Sequence, residues 1–152
     1  MIEIREDDLT GQATLALVAL HLAGMRENTP VCHVFALDYA GLQVPEVTVW
    51  SAWRDGAIAG VGALRELGDG GGEVKSMRTH PDHLRQGVGA AILDHIVAEA
   101  RRRGYRRLSL ETGRGGAFDA ALALYRARGF VSGGAFADYE ASAFNQFMHL
   151  EL

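Results

Sequence analysis

A single cysteine, Cys32, occurs in the 152 residues, so no internal disulfide can form and a thiolate metal site has no second ligand. Its expected role is that of a small buried apolar residue. No apolar run approaches the length of a membrane span. The start, Met1-Ile2-Glu3-Ile4-Arg5-Glu6, alternates apolar and charged residues and has no apolar core of a signal peptide, which predicts an untagged cytoplasmic protein without a membrane partner. A basic excess is also missing: 15 Lys and Arg stand against 19 Asp and Glu, a net charge of -4, which argues against nucleic acid as a partner. Repeats and low-complexity segments are absent as well. What is present, 48% hydrophobic and 22% charged residues, fits one domain over residues 1–152 around a single core. The basic residues cluster at Arg101, Arg102, Arg103, Arg106 and Arg107, which suits either a helix C-terminus or contact with a phosphorylated ligand.

Ile2 and Ile4 predict a first strand, and Leu15, Val18, Ala19, Leu22 and Met25 recur at helical spacing between Gly11 and Arg26. The apolar stretch from Val31 to Leu42 is a candidate short helix. Val47 to Trp53 and Ala57 to Leu67 flank the turn residues Arg54-Asp55-Gly56 and predict a hairpin. Gly68 to Gly72 reads as a flexible turn, Glu73 to Thr79 as another strand, and Val88, Ile92, Leu93, Ile96, Val97 and Ala100 as the apolar stripe of a helix ending near Gly104. A strand with Leu108 and Leu110 inward, a helix from Ala117 to Arg128 and a terminal strand from Phe144 to Leu152 complete the order. An α/β (α+β) domain follows, with a mixed central sheet flanked by helices.

The loop Leu84-Arg85-Gln86-Gly87-Val88-Gly89-Ala90 leads from a strand into that helix. A helix start presents unpaired backbone N–H groups to an anion, and glycines let a phosphate approach them. Glycines here also suit backbone geometry alone. A dinucleotide fingerprint would need a glycine where Ile92 stands, and the Gly-Lys-Ser/Thr triplet of a P-loop is absent. The segment Glu73 to Pro81 followed by Leu84 to Leu93 resembles motif A of the GNAT N-acetyltransferase superfamily. Leu124-Tyr125-Arg126-Ala127-Arg128-Gly129-Phe130 resembles its Leu-Tyr-x-x-x-Gly-Phe segment. The order of elements matches over essentially the whole chain.

The resemblance implies a single GNAT-like domain using acetyl-CoA as cosubstrate, without a metal. It implies that the backbone of Met77, Arg78 and Thr79 pairs with the pantetheine arm and that Arg85, Gln86, Gly87, Val88, Gly89 and Ala90 hold the pyrophosphate. Leu84 stands where the superfamily usually has Arg or Gln, and Phe118 where many members carry Asn. A homodimer is common among similar proteins.

Acetylating an amine requires a base, a donor to the carbonyl oxygen and an acid for the thiolate. Glu73 resembles the general base of the histone-acetylating members; it also suits a solvated turn. Glu111, opposite in alternation to Leu108 and Leu110, is the rival base. Two carboxylates in one cleft would raise at least one pKa. Tyr125 matches the tyrosine that protonates the thiolate, although a tyrosine on an apolar helix face is ordinarily core. His80-Pro81-Asp82-His83 has no further ligand spacing and suits a solvated loop. By resemblance the first helix and the last strands form the acceptor wall, which makes His21, Met25, Arg26 and Asp38 acceptor candidates, with Thr29, His33, Tyr39, Asp138, Tyr139, Glu140 and Phe144 near them. Arg26 would hold a carboxylate and Asp38 or Glu140 an amine; ordinary surface charge is the more common explanation of any one of them. The function implied is acetyl transfer to a primary amine of a small molecule by direct attack in a ternary complex. The alternatives are a non-catalytic acyl-CoA-binding module and a protein or peptide acetyltransferase.

Overall fold

The computed structural model describes residues 1–30 and 36–152, so residues 31–35 of the candidate second helix, with Cys32 and His33, lie outside the described residues. Strand β1 (Ile2–Glu6) precedes helix α1 (Gln12–Asn28), which continues past the expected end at Arg26. Its buried residues Thr14, Leu17, Val18 and His21 follow three- and four-residue steps and so form one face. Of the candidate second helix only α2 (Tyr39–Leu42) is formed among the described residues, started by the Asp38 carboxylate accepting from the Gly41 amide.

The hairpin is β2 (Val47–Arg54) and β3 (Ala57–Glu66), joined by Asp55 and Gly56, both with positive φ. Strand β4 runs Gly71–Thr79, so Gly71 and Gly72 belong to the strand and not to the turn expected there. A 3-10 turn at Pro81–His83 leads to α3 (Val88–Arg102), whose buried stripe is the one predicted. Strand β5 (Arg107–Gly113) is followed by a 3-10 turn at Gly116–Phe118 that replaces the expected first turn of α4 (Asp119–Ala127). A short strand not anticipated from the sequence, β6 (Val131–Gly133), precedes β7 (Asn145–Glu151).

The sheet has seven strands in the order β1-β2-β3-β4-β5-β7-β6, antiparallel at every step except β4 to β5. Helices cover both faces. On one, Leu17 of α1 packs with Ile58 and Val61, and Val18 with Val49 and Ala63. On the other, α3 packs on Trp50, Ala52, Leu64 and Val74, and α4 adds Leu122 and Tyr125 to the same core. Gly60 and Gly62 let α3 approach β3 closely: a Cβ at Gly62 would meet Ile92 Cγ2 at 2.5 Å.

Two irregularities shape the middle of the sheet. The β4–β5 pairing covers only Gly71 to Glu73 against Arg107 to Ser109, whereas β5 is paired along its full length with β7. Arg78 and Thr79 therefore retain β3 on one side, and the stretch from Met77 to Thr79 faces an opening on the other. In addition, Ser76 has φ +56 and the β3–β4 register shifts between Val61 and Ala63, a bulge. One inserted residue reverses the alternation. Val74 and Met77 thus both face α3, while Lys75 and Arg78 face α1.

Candidate active site

The opening between β4 and β5 widens into a cavity of about 630 Å³, a size suited to a small-molecule site. Its walls come from α1 (His21, Gly24, Met25), β4 (Lys75 to Thr79), the start of α3, β5 (Glu111, Thr112) and α4 (Leu124, Tyr125). At its α3 end the backbone is set for an anion. Gly87 caps the helix with φ +81, Arg85 has φ +61, and the first intrahelical bond runs from the Ala91 amide to the Gly87 carbonyl. The amides of Val88, Gly89 and Ala90 consequently have no helical acceptor, and the helix dipole adds to their field. Only glycine adopts the Gly87 conformation without strain.

Two groups suited to proton transfer line the same cavity from opposite faces of the sheet. Glu111 projects to the α1 face, opposite Leu108 and Leu110 of the core. Burial pushes its pKa up to about 7; the neighbouring Lys75 opposes the rise and Glu73 adds to it. A carboxylate so placed exchanges a proton near neutral pH. Tyr125 lies on the α4 side, and burial pushes its phenol up to about 12, so it stays protonated. The open β4 edge lies between them.

Comparison with known proteins follows this geometry. Residues 15–130 match the model of the Acetyltransferase (GNAT) family. The chain belongs to the GNAT family. It is 46% identical over 151 residues to the uncharacterized N-acetyltransferase YsnE of Bacillus subtilis, covering 99% of this chain and 100% of that one. It is 46% identical over 152 residues to the uncharacterized N-acetyltransferase YedL of Escherichia coli, covering 100% of this chain and 96% of that one. A solved structure from Klebsiella pneumoniae, 30% identical, superposes with a TM-score of 0.82 over 100% of this chain and 98% of its own. The protein is thus an N-acetyltransferase, and acetyl-CoA is its acyl donor.

The acetyltransferase brings some of the expected residues together and leaves others apart. Met77, Arg78, Thr79, Arg85, Gly87, Val88, Gly89 and Ala90 all line the cavity, whereas Gln86 turns to accept a hydrogen bond from Arg54. Glu73 is 1% exposed and does not line it. Its Oε2 accepts from the Tyr139 hydroxyl at 2.5 Å and lies 3.2 Å from Lys75 Nζ, and its Oε1 is 3.9 Å from Arg65. Lys75 Nζ also donates to the Tyr139 hydroxyl at 2.7 Å. Glu73 thus sits within a buried polar network beneath the Glu111 end of the cavity. Of the acceptor candidates, His21 and Met25 line the cavity; Arg26 is exposed and outside it, and Asp38 is engaged as the α2 cap.

Lys75 and the Arg78 side chain, which line the cavity from the α1 face, were not singled out from the sequence. Lys75 follows Glu73 by two residues, so strand alternation alone places both on one face; the α1-facing direction of Arg78 depends on the bulge at Ser76. His149, without an evident partner in the sequence, pairs with Ser109 and with the Gly134 carbonyl. Among the described residues no group of His, Cys, Asp and Glu is arranged to hold a metal ion.

Proposed function

We propose that this acetyltransferase moves the acetyl group of acetyl-CoA directly to a primary amine of a small cytoplasmic molecule within a ternary complex. Bound acetyl-CoA supplies an activated thioester carbonyl. The loop from Arg85 to Ala90 carries its pyrophosphate, and the open edge from Met77 to Thr79 pairs with the pantetheine arm. Glu111 accepts the proton of the attacking amine as the C–N bond forms, and Tyr125 donates its phenolic proton to the departing sulfur as the C–S bond breaks. A backbone N–H in the Met77 to Arg78 region faces the carbonyl oxygen.

The observation that carries this reading is the pair Glu111 and Tyr125 lining one cavity, with the carboxyl held near neutrality and the phenol protonated. Glu111 is the base in preference to Glu73, because Glu73 has its Oε2 engaged by Tyr139 and Lys75 and lies outside the lining. The test is a panel of amines, amino acids, polyamines and peptides with acetyl-CoA, following free thiol. Turnover with small amines, lowered about 10²- to 10⁴-fold in Tyr125→Phe, is the expected result. Coenzyme binding with no acetylated amine in the panel would make the chain a binding module, and activity confined to peptides would make it a protein acetyltransferase.

A further inference from the structure

The cavity carries more positive charge than its own carboxylates offset. Lys75, Arg78 and Arg85 line it, against Glu111 as the single carboxylate of its lining among the described residues. Lys75 is engaged by Glu73 and Tyr139, and Arg85 belongs to the loop at the start of α3. Arg78 is placed differently. Its Nε donates to His21 Nδ1 at 3.1 Å and its Nη2 to the His21 carbonyl oxygen at 3.4 Å. Both acceptors are neutral. A ring nitrogen that accepts carries no proton, and burial holds the His21 pKa down to about 4, with the charges of Arg78 and Lys75 acting in the same direction.

The guanidinium is also given room and orientation. A Cβ at Gly24 would come within 2.7 Å of Arg78 Nη2, so α1 has no side chain where the group lies. Among the described residues no carboxylate pairs with Arg78, and its Nη1 makes no hydrogen bond. A half-buried cation held in one orientation by neutral partners is costly unless an anion completes it. The side chain points to the α1 face, the same face as Glu111 and away from the α3 amides that suit a phosphate.

We propose that Arg78 anchors an acceptor carboxylate, so that the acetyltransferase acts on small amino carboxylates with the acid group on Arg78 and the amine toward Glu111. This rests on the amine-transfer reading above and narrows its substrate class. Arg26, the residue expected from the sequence for this role, is exposed and outside the cavity lining. A planar guanidinium bonds a carboxylate through two parallel donors, which a lysine cannot reproduce.

The experiment compares kcat/KM for L-amino acids and for their carboxamides, corrected to equal free amine. The acids are expected to exceed the amides about 10- to 100-fold, a ratio that falls toward one in Arg78→Gln and is only partly kept in Arg78→Lys. Wild-type protein supplies a second measurement independent of any variant's folding: amine-free carboxylates of the same carbon skeleton should inhibit competitively against the acceptor and not against acetyl-CoA. Amides as good as acids, or no such inhibition, overturn the proposal while leaving amine transfer in place. Arg78→Gln weakening acetyl-CoA binding as much as it weakens the acids assigns the side chain to coenzyme phosphate and overturns it too. Acetylation of neither set while other amines are acetylated overturns the proposal and keeps amine transfer; no acetylated amine of any kind removes the amine-transfer reading itself.

Discussion

Glu111 and His21 lie on the same face of the sheet and have their pKa values moved in opposite directions by burial, each toward its neutral form. The consequences differ. For Glu111 the consequence is catalytic under the proposed mechanism: a base must lose its proton, so kcat/KM should rise with pH through about 7. Glu111→Gln should lower the rate about 10²- to 10⁴-fold and abolish that rise, as a pH-rate profile would show. A Glu111→Gln enzyme with the wild-type profile would remove Glu111 from the mechanism. For His21 the consequence is stability. Its folded pKa of about 4 lies below the ordinary histidine value, so the unfolded chain binds the extra proton first as pH falls. That contribution is complete above pH ~6.5 and is lost as pH falls toward about 4, amounting to about 3 kcal/mol. Denaturant melts across this range should show a shallower acid loss in His21→Gln, whose amide oxygen can still accept from Arg78. An equal slope in both proteins would mean that His21 is not held neutral.

The elements differ in how directly their residues dictate their form. The stripe of α3 is local and periodic, and it appears in the structure at the predicted positions from Val88 to Ala100. The loop before it depends on backbone geometry. Gly87 needs a left-handed conformation, while a Cβ at Gly89 would meet Leu124 at 3.3 Å and Thr79 at 3.6 Å. Valine at either position should therefore weaken acetyl-CoA binding more than Arg85→Ala does, measured by titration calorimetry. The reverse order would show that the Arg85 charge, and not close backbone approach, holds the phosphates. The faces of strand β4 depend on one residue out of register. The bulge at Ser76 puts Met77 on the α3 core and Arg78 on the α1 face.

At the scale of the molecule, one continuous sheet with helices on both faces should unfold as a unit. Trp50 and Trp53 fluorescence and far-ultraviolet dichroism are expected to give coincident transitions, shifted upward together by acetyl-CoA as binding to the folded state requires. Separate transitions would divide the domain. The order of the main elements, the helix stripe, the glycine-containing loop at its start and the GNAT resemblance were legible in the residues, because periodicity, turn chemistry and motif spacing are properties of neighbours along the chain. The divergence of β5 from β4 was not, since where pairing stops is decided between strands about thirty residues apart in the chain. Nor was the difference between Glu73 and Glu111. Both were candidate bases in sequence, but only the packed structure puts Tyr139 and Lys75 on one and the cavity against the other. Local order is written in short-range pattern; the burial and charge environment that make a carboxylate a base come from residues brought together only by folding.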